Sequence, residues 1–209
     1  HTASRAALVG GGSGVAVPGE VSLAHRGILF LDEMAEFPRG NLDTLRQPLE
    51  DGAVTVARRG VTAIFPSSFH LVAASNPCPC GYLGDHRKPC DCRPAAVARY
   101  RRRVSGPLID RFDMVVKVDR LESMEGGESE SSQQVRSRVT AASTLLASGR
   151  IEQHRSALSL LEAALTNQLL TARGVVRVRR VATTIAALAG SEVVDEGHVS
   201  EAMALRAEW

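Results

Sequence analysis

Gly27-Ile28-Leu29-Phe30-Leu31-Asp32-Glu33 sets four large apolar residues in a row and ends them in two acids. A continuous apolar run of this length predicts a strand buried on both faces, as in the middle of a parallel sheet. Two carboxylates at the carboxyl end of such a strand are costly to bury without a partner. That end is also where ligands sit in open α/β sheets. The simplest partner for Asp32 is a magnesium ion carrying a nucleotide phosphate, since this ion takes one or two carboxylates together with waters and phosphate oxygens. Glu33 would then face an attacking water. The pattern is that of a Walker B strand. The plainer alternative is a core strand whose acids simply leave the sheet for solvent.

The composition sets bounds around this stretch. A chain of 209 residues holds one domain of ordinary size and a smaller one. Its apolar fraction of 44% is ordinary for a globular protein. No apolar stretch approaches the ~18 residues of a membrane span, and no signal peptide is visible, so no membrane partner and a cytoplasmic location are expected. The chain begins at His1, which suggests a piece of a longer protein. The net charge of +2 comes almost wholly from arginine, Lys88 and Lys117 being the lysines. Such a small excess does not indicate nucleic acid by itself; local clusters matter more.

Ahead of the acid-tipped strand, residues 1–20 are rich in Gly, Ala and Ser and read as a mobile insertion. Gly10-Gly11-Gly12-Ser13-Gly14 is not a nucleotide-binding P-loop, because no Gly-Lys-Ser/Thr follows it. After Glu33, Pro38 opens a short helix with Leu42, Leu45 and Leu49 on one face, and Gly52 ends it. Residues 53–58 and 61–65 form a hairpin with Arg58 and Arg59 at its tip. Residues 69–74 make a second buried strand, ending in Ser75-Asn76-Pro77. Residues 94–104 read as a basic helix carrying Arg99, Arg101, Arg102 and Arg103, and 114–118 as a third apolar strand. A Glu/Gly/Ser-rich linker, 121–134, then leads to alanine-rich amphipathic helices over 135–146, 157–170, 174–189 and 196–207, with Asp195 as the N-cap of the last. The plan is an α/β part over residues 1–120 and an all-helical part over 121–209. The lone histidines read as ordinary: His70 as a core or hinge residue, His154 and His198 as solvated.

Four cysteines, Cys78, Cys80, Cys90 and Cys92, fall in one short loop of an otherwise cysteine-free chain. Two C-x-C pairs separated by nine residues suit a tetrahedral structural zinc. The usual knuckle is C-x₂-C, so reduced thiols in a mobile loop, or a site in which His86 replaces one cysteine, remain open. Arg87, Lys88 and Arg93 make the loop basic.

Several phrases together resemble the magnesium-chelatase-like ComM/YifB proteins, which are AAA+ ATPases. They are His1-Thr2-Ala3-Ser4, Pro18-Gly19-Glu20, Ser22-Leu23-Ala24-His25, Gly27 to Met34, Leu45 to Gly52, Ala74 to Gly81, Gly106 to Asp113 and Arg173 to Gly190. The resemblance implies an α/β fold, a partial AAA+ parallel-sheet core of P-loop NTPase type, followed by an all-helical lid. The family's Lon-like domain and its Walker A loop are not in this sequence, so this chain alone is expected to bind ATP poorly and to be inactive. The resemblance also assigns roles. Asp32 holds Mg2+ and Glu33 activates the hydrolytic water. Asn76 is sensor 1; its alternative is an ordinary Asn-Pro turn. Arg111 is an arginine finger acting on a neighbouring subunit's nucleotide; its alternative is a local pair with Asp110 or Asp113. Arg173 is sensor 2; its alternative is a solvated arginine at a helix start. An arginine acting in trans needs a head-to-tail interface, which closes into a ring, and the family implies a hexamer. The 53–65 hairpin corresponds to a pore hairpin in which Arg58 and Arg59 grip DNA phosphates, and residues 6–18 to a helix-2 insertion. The function expected is ATP-driven DNA remodelling, helicase or branch migration in DNA uptake and recombination. The alternatives are a chelatase-type motor subunit and a zinc-nucleated binding module without turnover.

Overall fold

The computed structural model describes residues 2–12, 15–58, 61–118 and 130–206. It divides into two units, His1–Phe112 and Asp113–Trp209. In the first, the glycine-rich opening carries a short helix and a close backbone approach around Gly10, Gly11 and Gly19. Helix α1 (Arg5–Val9) is capped by Ser4, whose hydroxyl accepts the Ala7 N–H, and it buries Leu8. Gly11 then pairs antiparallel with Val17. The glycines permit close backbone approach: a Cβ on Gly19 would fall 2.3 Å from the Gly10 nitrogen and 2.5 Å from the Leu8 carbonyl oxygen. Helix α2 (Glu20–Leu23) follows and buries Val21.

Strand β1 (Ile28–Leu31) is the apolar run, and a 3₁₀ turn, Met34–Glu36, comes directly after the two acids. The single helix expected after Pro38 is two, α3 (Arg39–Asp43) and α4 (Arg46–Asp51). Pro48 explains the break. It has no N–H for the Thr44 carbonyl, and in a continuous helix its ring would strike that carbonyl. Leu42 and Leu45 are still fully buried, and Gly52 ends α4 at φ +63°. Strands β2 (Ala53–Arg58) and β3 (Val61–Pro66) form the expected antiparallel hairpin, paired out to Arg58↔Val61. The Arg59 reading at its tip, and the Arg58 side chain, lie outside the described residues. Strand β4 (His70–Ala73) pairs in parallel with β1, in the register Ile28↔His70 through Leu31↔Ala73. Helices α5 (Pro94–Arg101) and α6 (Gly106–Ile109) complete the unit.

Two expectations about β1 and β4 need correction. Only one face of β1 is covered: Leu29 and Leu31 are buried, while Ile28 is 66% and Phe30 58% exposed. Strand β4 is not the buried strand expected: His70 and Val72 are exposed and Leu71 and Ala73 half-buried, so His70 is not a core residue.

The second unit is helical in the main. Helix α7 (Ser132–Ala147) starts with a capping box of Ser131 and Gln134. It is followed by β5 (Glu152–Gln153), α8 (Arg155–Thr166), α9 (Ala172–Leu188), β6 (Val193–Val194) and α10 (Glu196–Ala204). The β5–β6 parallel pair departs from the all-helical plan. Residues 114–118 are not a strand. Val115 donates its N–H to the Leu205 carbonyl, while Met114, Val116 and Val118 are exposed. His154 is exposed, as expected, while His198 is half-buried, and both cap helices. His154 caps α8 by accepting the Ser156 N–H, and His198 closes a capping box with Asp195 at the start of α10. The core gathers Ala157 and Leu161 of α8, Val178, Val181, Ala182 and Ala186 of α9, Val194, and Val199 and Ala202 of α10. Among the described residues no helix is long and apolar enough to cross a membrane.

This core gives a direct test. Leu161→Ala removes a buried side chain among tightly fitted neighbours and should cost about 2–5 kcal/mol in urea unfolding. Leu165→Ala, on the exposed side of the same helix, should change stability by about 0.5 kcal/mol or less.

Candidate functional site

The β1–β4 register brings the chemistry-bearing groups of two strands to one end. Leu31 lies opposite Ala73, so Asp32 and Glu33 leave β1 where Ser75 and Asn76 leave β4. Backbone bonds hold the two exits together: Ala74 donates its N–H to the Leu31 carbonyl at 2.9 Å, and Met34 donates to the Ala74 carbonyl at 2.8 Å. Neighbouring strands lie ≈ 4.8 Å apart, so the acids and the amide share one rim. Asp32, Glu33 and Asn76 are all exposed there. An accessible carboxylate pair beside a neutral amide fits a magnesium-bound phosphate, because this hard cation takes few protein oxygens and keeps waters.

Glu33 has a feature that its sequence does not announce. Its backbone is left-handed, with φ +49° and ψ +46°. Holding a non-glycine residue there costs on the order of 1–3 kcal/mol, and such strain gathers at functional positions. Three contacts hold the segment. Glu33 donates its N–H to Asp32 Oδ1 at 2.9 Å, Met34 and Ala35 are buried, and Arg103 bonds both the Ala35 carbonyl at 3.0 Å and Glu36 at 2.6 Å. Arg103 and Glu36 are therefore residues that brace the acidic corner, and sequence reading missed them. Arg103 had counted only as one more cation of a basic helix.

Arg111 is turned into its own unit. Its side chain is 5% exposed and pairs with Glu50 at 2.6 Å. Its Nε donates to the Arg46 carbonyl at 3.3 Å and its Nη1 to the Pro107 carbonyl. Asp113, one of the two local partners expected from sequence, is paired with Arg177 at 2.8 Å. Arg173 lies in the first turn of α9, behind the N-cap Thr171, and is exposed. A cation there opposes the helix dipole.

The four cysteines converge. Their sulfurs lie within 4.8 Å of one another, with 3.4 Å between Cys78 and Cys80, 3.6 Å between Cys80 and Cys90 and 3.7 Å between Cys78 and Cys90. Zinc–sulfur bonds of ≈ 2.3 Å in a tetrahedron set sulfurs about 3.8 Å apart. The thiol group thus stands close to the size of a Cys₄ zinc site, and His86 is not part of it. Backbone N–H groups point at the sulfurs. That of Tyr82, aided by the other thiols, lowers the Cys80 thiol to about 6. That of Cys92 draws the Cys90 thiol down, but desolvation and the neighbouring sulfurs outweigh it and push it up to about 12. One easily formed thiolate among crowded thiols is a donor set that a divalent soft-to-borderline cation neutralises.

Comparison with known proteins identifies the relatives of this chain. Residues 1–126 match the family model described as magnesium chelatase, subunit ChlI, and residues 146–206 match its C-terminal model. An uncharacterized protein of Mycobacterium tuberculosis is 42% identical across 99% of this chain and 45% of its own length. The competence protein ComM of Haemophilus influenzae is 39% identical across 99% of this chain and 44% of its own length, and the uncharacterized protein YifB of Escherichia coli matches equally. The chain thus spans less than half the length of the curated relatives it matches.

The Arg111 contacts predict a stability difference. Glu50→Ala strips a buried guanidinium of its ionic partner and should cost about 1–3 kcal/mol. Glu130→Ala, which removes the half-exposed partner of Arg138, should cost at most about 1 kcal/mol. Denaturant midpoints of the two variants check the contrast.

Proposed function

Because this chain belongs to the magnesium chelatase ChlI family, alongside ComM and YifB, we propose that it carries the hydrolytic half of an AAA+ motor that couples ATP hydrolysis to DNA remodelling. The observation that supports this reading is the shared rim of Asp32, Glu33 and Asn76 at the carboxyl ends of two parallel strands. In this proposal Asp32 anchors the magnesium-bound nucleotide, and that group when bound supplies the phosphoryl chemistry and charge neutralisation. Glu33 orients the attacking water and takes its proton. Asn76 donates its amide N–H toward the terminal phosphate and fixes the water's line of approach. Arg111 acts across a head-to-tail interface in a hexamer, exchanging Glu50 for a neighbour's phosphate. Arg173 is assigned to nucleotide sensing. The four cysteines hold a structural zinc.

The phosphate-binding Gly-Lys-Ser/Thr loop is not among these 209 residues. Hydrolysis is accordingly proposed for the full-length protein, with this chain alone inactive. DNA is the proposed substrate for two reasons. One relative is a competence protein, and the sequence carries Arg58 and Arg59 where β2 gives way to β3, in addition to exposed Arg93, Arg99, Arg101 and Arg102 around α5. Phosphate contacts of this kind grip without reading sequence. A second reading follows from the family description itself: a chelatase motor that drives a partner to insert magnesium into a porphyrin, with the same hydrolytic residues and no DNA.

The test uses the full-length protein. Its ATPase rate should rise when DNA is added; equal rates with and without single- and double-stranded DNA favour the chelatase reading. Glu33→Gln should bind ATP and lose on the order of 10² or more in kcat. Arg111→Ala should lose about 10³-fold or more while keeping nucleotide affinity, and mixing it with Glu33→Gln subunits should restore part of the rate. Normal turnover in Glu33→Gln would remove the assignment, and a protein that binds zinc but never turns over ATP would leave only a binding module.

A further inference from the structure

Between β4 and α5, from Ala74 to Arg93, the chain forms no helix or strand. Loops this long inside a compact unit need some other constraint to take one conformation. The thiol group supplies such a constraint, and it begins two residues after Asn76. Cys78 follows Asn76 by two residues and is fully buried. Gly81 donates its N–H back to the Cys78 carbonyl at 3.0 Å and closes a tight turn around Pro79 and Cys80. Gly81 holds φ +79°, and a Cβ placed on it would stand 3.9 Å from Asn76 Oδ1. The thiol-bearing turn therefore passes close to the carboxamide, with room for little more than one added carbon between them. On its other side the buried Tyr100 of α5 sets its hydroxyl beside Ser75, short of a full hydrogen bond, and lies near Cys78. Cys90 and Cys92 come from the far end of the loop, just before α5. Closing the four sulfurs on one ion would tie the Asn76 corner of β4 to the start of α5.

We propose that a zinc ion held by Cys78, Cys80, Cys90 and Cys92 sets the position of the Asn76 amide, so that metal occupancy controls the hydrolytic step and leaves nucleotide binding largely unaffected. The inference rests on the reading of Asn76 as the amide that positions the attacking water. A misplacement of about 1 Å at such a group lowers a rate by about 10²-fold, and an unanchored loop allows at least that. Binding affinity depends chiefly on phosphate contacts made elsewhere and is expected to change little.

The experiment compares full-length wild type with Cys92→Ser and Asn76→Ala. Metal content by mass spectrometry, the visible spectrum after cobalt substitution, nucleotide Kd and ATPase kcat are measured on each. Wild type should carry one zinc per chain and, with cobalt, show the strong bands of tetrahedral thiolate coordination. Cys92→Ser should lose zinc to a chelator that wild type withstands. Its kcat should then fall by about 10²-fold with nucleotide Kd nearly unchanged, and excess zinc should restore the rate. Circular dichroism follows the fold throughout, and chelator titration of wild type provides the same comparison without a substitution. Absence of zinc from wild type overturns the metal site. Zinc that can be removed without any change in kcat overturns the coupling while leaving the site standing. Loss of kcat only together with nucleotide binding or fold makes the metal a general staple and also overturns the coupling. Full activity in Asn76→Ala would show that the reading beneath the proposal is wrong, whatever the metal does.

Discussion

The parallel pairing of β1 with β4 is the constraint on which the candidate site depends. Its register makes Leu31 the partner of Ala73, and from there the two chains leave the sheet side by side. A slip of one residue would turn Asp32 and Asn76 to opposite faces. The register is held from both ends. Gly27 accepts the His70 N–H at one end, and the Leu31 and Ala74 carbonyls accept the Ala74 and Met34 N–H groups at the other. The buried side chains of Leu29 and Leu31 fix which face is inward. Two carboxylates and an amide are thus brought to one rim by backbone geometry, before any ligand is considered.

Around this rim the structure spends its less ordinary features. Glu33 is left-handed, Arg103 bridges from the end of α5 to Glu36, and the thiol turn backs onto Asn76. Each lies beside a residue to which a part in hydrolysis is proposed, and positioning of this kind is what phosphoryl transfer demands of a protein. Arg111 stands apart from the pattern. Its guanidinium is held by Glu50 and two carbonyls of its own unit, so a role across a subunit interface involves a change of partners.

Much of this was legible in the sequence, for local reasons. An apolar run ended by Asp-Glu, an Asn-Pro after a second run, two adjacent β-rich runs over 53–58 and 61–65 and paired C-x-C groups are all short-range signals. The capping role of Asp195 was read from its place before a periodic segment. What escaped was long-range or conformational. A four-residue apolar run does not say how many of its faces the chain covers, and β1 covers one. The partner of Arg111 is sixty-one positions away, and no spacing links the two. The left-handed Glu33 has no compositional mark. Residues 114–118 are apolar in the manner of a strand, yet Val115 bonds to the Leu205 carbonyl while Met114, Val116 and Val118 are exposed. The capping bonds of His154 and His198 escaped because capping by histidine is not a preferred N-terminal signal.

The central claim is that one bound triphosphate touches the ends of both strands at once. A structure of the full-length protein with magnesium, ADP and a planar metal-fluoride mimic of the transferring phosphoryl group tests it most directly. The account predicts the mimic between the Asp32–Glu33 corner and the Asn76 carboxamide, with a water lined up by Glu33. A nucleotide seated away from this rim, with Asp32, Glu33 and Asn76 all facing bulk solvent, would contradict it.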